Sequence, residues 1–153
     1  MNPPQAALEL DLLPATEADF EQLHELRLEA MRASLERLGR FDAARSHARF
    51  RESFSAEHTR IILVSSERVG FYAVKPEADA WLLDHLYLRP HLHGRGIGSA
   101  VMRLVLAAAD RAKLPVRVGA LRGSEANRFY VRHGFMPVGE AEFDVFYVRA
   151  HAP

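Results

Sequence analysis

One α/β domain, a mixed single-layer sheet with helices on both faces, is the fold this chain predicts. Three observations carry it. Apolar runs of strand length alternate with segments of helical periodicity along the whole chain. The longest run, Trp81 to Arg89, passes through a glycine-rich turn straight into a helical pattern ending at Lys113. And 153 residues, 48% hydrophobic and 26% charged, suit a single domain over residues 1–153 with a buried core.

The elements follow in order. Leu8 to Leu13 alternates apolar and acidic residues, the pattern of a half-buried strand. Thr16 is placed to cap a helix whose early acids, Glu17, Asp19 and Glu21, suit its N-terminus. Phe20, Leu23, Leu26, Leu28 and Met31 recur at near-helical spacing until Gly39 stops the helix. A very polar second helix is expected over Ala43 to Phe54. Ile61 to Val64 and Val69 to Val74 read as a hairpin over Ser65-Ser66-Glu67-Arg68. After the long strand come the turn and a helix from Gly98 to Lys113. Val116 to Ala120 is a short strand, Ser124 opens a helix to His133, and Phe135–Val138 and Glu142–Arg149 complete the sheet.

Twenty basic side chains balance twenty acidic ones, which argues against a general nucleic-acid or membrane surface. The chain has no cysteine. That removes disulfides, thiolate metal sites and cysteine-based acyl transfer, and fits a reducing cytoplasm. Met1-Asn2-Pro3-Pro4-Gln5 has neither the basic nor the apolar stretch of a signal peptide, and no apolar run reaches the ~18 residues of a membrane span. The expectation is a soluble cytoplasmic domain, with a homodimer compatible. Of the eight histidines, His91 and His93 are the pair to weigh as metal ligands; no third ligand or acid spacing accompanies them, so no metal is expected.

The chemistry centres on His93-Gly94-Arg95-Gly96-Ile97-Gly98-Ser99. Three alternate glycines at a strand-to-helix junction leave backbone N–H groups uncovered where a helix N-terminus adds partial positive charge, an arrangement that suits a phosphate or pyrophosphate. A Walker A loop would need Lys after Gly98, where Ser99 stands. A dinucleotide fingerprint would need Gly or Ala at Ser99 and an acid roughly 20 residues on, where Pro115 to Gly119 supplies none.

The turn resembles the acyl-CoA loop of the GNAT acetyltransferase superfamily, Gln/Arg-x-x-Gly-x-Gly/Ala, with His93 at the Gln/Arg position. Leu86-Tyr87-Leu88-Arg89-Pro90 is similar to the family's strand-to-loop junction. Ala126 to Phe135, with Phe129-Tyr130 and Gly134-Phe135, looks like its second signature. The likeness runs from about Thr59 onward. It implies a mostly antiparallel mixed sheet of about six to seven strands, about four flanking helices, and acetyl-CoA as cosubstrate. It further implies that backbone N–H groups from His93 to Ser99 hold the pyrophosphate and that the Leu86–Leu88 edge pairs with the pantetheine arm.

An N-acetyltransferase reaction needs a held thioester, an unprotonated amine and a proton for the departing thiolate. By the resemblance Tyr130 is the general acid, because a phenol near pKa ~10 stays protonated at neutral pH; alone it would read as a core aromatic beside Phe129. Ser124 and Asn127 are candidates for the pantetheine arm, Ser124 equally for the helix cap. Asp84 and His85 interrupt an apolar strand and point to opposite faces, so only one can face a given cleft. The resemblance implies that Asp84, closer to the family pattern, or His85, with the better unperturbed pKa, or water serves as the base. Both would otherwise read as hydrogen-bonded core residues. Arg45, His47, Arg49 and Arg51 form a basic stretch, either a solvated face or a seat for a carboxylate-bearing acceptor. The acceptor is expected to be an amine of a small molecule or peptide. The rival is an acyl-CoA-binding sensor without chemistry, against which Tyr130 argues.

Overall fold

A computed structural model describes residues 9–153. Met1 to Gln5 and Leu8, the first residue of the expected opening strand, lie outside the described residues. Seven strands form one sheet in the order β1-β2-β3-β4-β5-β7-β6. They are β1 (Leu10–Pro14), β2 (Thr59–Val64), β3 (Glu67–Pro76), β4 (Trp81–Leu88), β5 (Val116–Leu121), β6 (Met136–Glu140) and β7 (Asp144–Arg149). β1–β2, β2–β3, β5–β7 and β6–β7 run antiparallel, while β4 and β5 are parallel. The described α-helices are α1 (Phe20–Arg37), α2 (Ala43–Ser53), α3 (Ile97–Ala112) and α4 (Ala126–Arg132). The chain gathers into two compact units, one of residues 9–30, 42–73 and 85–98, the other of 31–41, 74–84 and 99–153.

In the first unit Thr16 begins a short 3-10 turn, Glu17–Asp19, before α1. The Thr16 N–H donates to Asp19 Oδ2 at 2.8 Å. Asp42 caps α2 by accepting from the Arg45 N–H at 3.0 Å. The core collects Phe20, Leu23 and Leu26 of α1, Phe50 of α2, Ile61 of β2 and Phe71 of β3. The β2–β3 connection is two residues, not the four expected. Ser65 and Ser66 both take positive φ, 49° and 67°, as a tight primed turn demands. Glu67 and Arg68 are therefore strand residues, and Arg68 reaches Asp19 at 2.8 Å. Gly70 is obligatory on β3, because a Cβ there would collide with the Tyr87 carbonyl oxygen.

In the second unit α3 buries Val101, Met102, Val105, Leu106 and Ala109, a helical stripe. β5 buries Val116, Val118 and Ala120 while Arg117 and Gly119 between them stay exposed, a strand's period of two. β6 is an edge strand, exposed throughout, with a bulge at Val138; an edge tolerates Pro137, which brings no N–H. α4 starts at Ala126 with Glu125 at its N-cap, one residue later than a cap at Ser124 would place it. The Ser124 hydroxyl donates backward to the Leu121 carbonyl at 2.8 Å, so Ser124 is not the cap.

Candidate active site

After β4 the chain makes a 3-10 turn, Pro90–Leu92, and then the glycine loop. Within that turn the His93 N–H donates to the Pro90 carbonyl at 3.1 Å. The expected run of anion donors thus starts one residue later, at Gly94. His93 instead ties the loop to the strand, its Nε2–H donating to the Leu88 carbonyl at 3.1 Å. Gly94 and Gly96 hold φ of 79° and 81°, the left-handed region that other residues avoid. A Cβ at either would meet nothing within 4 Å, so the backbone there borders open space. Among the described residues the N–H groups of Gly94, Arg95 and Gly96 donate to no carbonyl. Those of Ile97, Gly98 and Ser99 fall in the first turn of α3, which no intrahelical carbonyl reaches. Gly98 itself has no positive φ; its place is inside the helix. The arrangement suits an anion at the loop.

The first unit also holds a polar seam that sequence reasoning missed apart from His85. Ser46, Phe50 and Ser53 stand at i, i+4 and i+7 on one face of α2. Ser53 Oγ lies 3.1 Å from Nε2 of His85, which is only 6% exposed on β4. Ser46 Oγ accepts from Arg27 Nη1 of α1 at 2.6 Å. Aromatic rings line the same stretch. Phe50 and Tyr87 stand 5.3 and 5.8 Å from the His85 ring, and 5.8 and 5.7 Å from the Arg27 guanidinium carbon. Arg27 Nε and His24 Nδ1 are buried without a hydrogen-bond partner among the described residues. An unmet donor costs about 1–3 kcal/mol, so a native chain seldom keeps one idly. Burial, with the neighbouring His47, holds His24 below its ordinary pKa. Leu86 and Leu88 are half-buried. The β4 register with β5 runs from Trp81↔Val116 to Leu83↔Val118 and ends before them.

The second unit holds Asp84, Ser99, Ser124, Asn127 and Tyr130. Asp84 Oδ2 accepts from Lys75 Nζ at 2.8 Å. Tyr130, 5% exposed, sits in an aromatic nest with Phe129, Phe135 and Tyr147, ring centroids 5.5–6.1 Å away. Asn127 spends its whole amide on the fold. Its Nδ2 donates to the Leu121 and Ser124 carbonyls at 2.8 and 2.9 Å, and its Oδ1 accepts from the Tyr147 hydroxyl at 2.7 Å. Ser124 and Asn127 thereby hold the turn that leads into the Tyr130 helix. Ser99 Oγ lies 3.0 Å from His133 Nε2. Burial, then the charges of Arg103 and Arg132, keep His133 below its ordinary pKa.

Ser46 and Ser53 had a readable signal, their spacing around Phe50, but in so polar a helix that face passed for a solvated one. Arg27 had none, because its partners are 19 or more residues away. Of the basic stretch, His47 and Arg51 are engaged by Glu21 and Glu17, each at 2.9 Å. Among the described residues no three His, Asp or Glu side chains gather as a metal set, and no helix is long and apolar enough to cross a membrane.

The family model of the acetyltransferase (GNAT) domain matches residues 53–137, which include β4, the loop, α3 and α4. Uncharacterized N-acetyltransferases of Mycobacterium tuberculosis and Mycobacterium bovis are 36% identical over 107 residues, 67% of this chain and 69% of theirs. In fold, the chain is similar to the PaiA N-acetyltransferase of Thermoplasma acidophilum in its coenzyme A complex. The TM-score is 0.75 at 18% identity, over 93% of this chain and 99% of that one. An acetyltransferase from Thermus thermophilus gives 0.72 at 23% identity, over 94% and 97%.

Proposed function

The chain belongs to the GNAT acetyltransferases, and on that premise we propose that it moves the acetyl group of acetyl-CoA to an amine of a small molecule or peptide by direct attack on the thioester. The observation that carries the cosubstrate is the run of N–H groups from Gly94 to Ser99 without acceptors, on a loop held open by Gly94 and Gly96. Such a run matches a pyrophosphate, whose oxygens accept several N–H bonds at once. Leu86 and Leu88 offer strand backbone to the pantetheine amides.

Acetyl-CoA supplies an activated acyl carbon. The amine nitrogen bonds to that carbon and the carbon–sulfur bond breaks. His85, kept in register by Ser53, takes the amine proton, and the Tyr130 hydroxyl supplies a proton to the thiolate. His85 is preferred as base because Asp84 is already engaged by Lys75. Ser124 and Asn127 act on this reading by holding the turn before α4, and Ser99 by opening α3.

Thermal shift with CoA, acetyl-CoA, ATP and NAD tests the cosubstrate, since a ligand raises the melting temperature in proportion to its binding free energy. CoA and acetyl-CoA should stabilise, and ATP and NAD should not. Gly96→Val should abolish the CoA shift, because a β-branched residue resists φ near 81° and fills the open space. Equal stabilisation by ATP would sink the assignment. CoA binding without acetyl transfer to any amine would turn the reading to a sensor.

A further inference from the structure

We infer that Arg27 is the seat of a carboxylate on the acceptor, so that the amine acetylated belongs to an aminocarboxylic acid. The inference rests on the acetyltransferase reading and narrows its substrate class. Arg27 differs from two other half-buried arginines of its unit, which are closed by carboxylates. Arg68 is closed by Asp19 and Arg89 by Glu29, at 2.8 and 2.9 Å. Among the described residues Arg27 has no carboxylate; its Nη1 donates to the neutral hydroxyl of Ser46. Its guanidinium lies against the rings of Phe50 and Tyr87, which fix its plane and strip water from it without neutralising it. Among the described residues Nε is enclosed and unmet, while Nη2 has no hydrogen-bond partner and is not among the fully enclosed atoms. A half-buried, ring-clamped guanidinium with an open edge is pre-organised for a planar anion, and a carboxylate answers its fork geometry.

The position of the seat narrows the ligand. Arg27 and His85 touch the same two rings, and the Phe50 distances, 5.8 and 5.3 Å, cap the separation of guanidinium carbon and imidazole at about 11 Å. A carboxylate on Arg27 therefore belongs to the same small molecule as an amine presented to His85. Ser46 and Ser53, one on each group, hold both from a single face of α2. If Arg27 were only a packing cation, its replacement would alter stability without regard to what the acceptor carries.

The experiment follows thiol release from acetyl-CoA with glycine, β-alanine and 4-aminobutyrate, each against its primary amide. The amides have the less basic amines, so an advantage for the acids runs against intrinsic reactivity. At least one acid should exceed its amide tenfold or more in kcat/KM. Arg27→Gln should bring that ratio near one, mainly by raising KM for the acid, with the CoA thermal shift unchanged. Ser46→Ala, which keeps the guanidinium but loosens it, should lower the ratio less and guards against a misfolded Arg27→Gln. Equal rates for acid and amide, reaction of none of the acids, or equal losses for both in Arg27→Gln each overturn the inference. Reaction of the amides alone overturns it while leaving acetyl transfer standing. Absence of the CoA shift in the unmutated protein would instead sink the parent reading.

Discussion

Two serine–histidine pairs, one in each compact unit, have nearly the same local geometry and opposite surroundings. Ser53 and His85 approach to 3.1 Å in the first unit, Ser99 and His133 to 3.0 Å in the second. His85 is buried among Phe50, Phe71 and Tyr87. His133 is half-buried at the end of α4, with Arg103 and Arg132 disfavouring its protonated form. A Ser–His contact is thus no signature by itself. What separates the two is the company each keeps: strand β4 and a seam of polar groups for one, the first turn of a helix and two cations for the other. On the acetyltransferase reading proposed above, the first pair serves proton transfer. The second suits holding the opening of α3 in place.

The largest expected effect breaks this contrast directly. His85→Gln should lower kcat by about 10²–10⁴-fold, the usual worth of a positioned acid or base, and leave the CoA thermal shift unchanged. Ser53→Ala, acting through His85, should cost less and should move the pH profile of kcat/KM, which a packing change would not. If His85→Gln keeps full turnover while Asp84→Asn loses it, the base is Asp84 and the His85 pair is structural.

The second pair should show a smaller and different loss. His133→Gln and Ser99→Ala each remove one neutral hydrogen bond, worth about 0.5–1.5 kcal/mol, so CoA dissociation constants should rise about 2- to 10-fold with kcat at saturation unchanged. Titration calorimetry reads the first and steady-state rates the second. A fall in kcat with unchanged CoA affinity would reverse the roles given to the two pairs.

What could be read from the sequence was what neighbours in the chain determine. β4, the glycine loop and α3 are contiguous, and their signals are local: an apolar run, glycines that take positive φ, and a helical stripe. The two-serine hairpin turn is not legible in the sequence because turn residues of that type are commonly Gly, Asn or Asp, whereas here serines accept the strain. The engagement of the His93 N–H is not legible in the sequence, because it comes from the 3-10 turn Pro90–Leu92 and nothing in the residue types announces that turn. The seam of Arg27, Ser46, Ser53 and His85 is built from three elements distant in sequence. Its signs in the sequence were the position of His85 in an apolar strand and the spacing of Ser46 and Ser53 around Phe50.

The smallest effect divides acid sensitivity between the units. His24 in the first unit and His133 in the second both have pKa values lowered by burial, with nearby positive charge second. Lowered values mean that the folded state binds fewer protons than the unfolded chain once the pH falls below about 6.5, the ordinary histidine value. Stability is therefore complete above that pH and declines as the pH drops towards the folded-state values. Asp19 and Asp110 are also lowered, by Arg68 and Arg149, but as carboxylates they give up stability only near pH 4 and below. The interval from pH 7.5 to 5.5 thus isolates the histidines. His24→Phe keeps a ring against Phe20 and Phe50, 6.5 and 6.3 Å away, and removes the titrating group. His133→Gln does the same for the second unit. Each should shrink the fall in Tm across that interval, by no more than the 2–4 °C that about 1 kcal/mol produces in a chain of this size. If His24→Phe flattens the curve and His133→Gln does not, acid sensitivity belongs to the α1–α2 packing that holds Arg27, and binding of an aminocarboxylate should weaken over the same interval. Curves that stay as steep in both variants would place the sensitivity outside these two histidines.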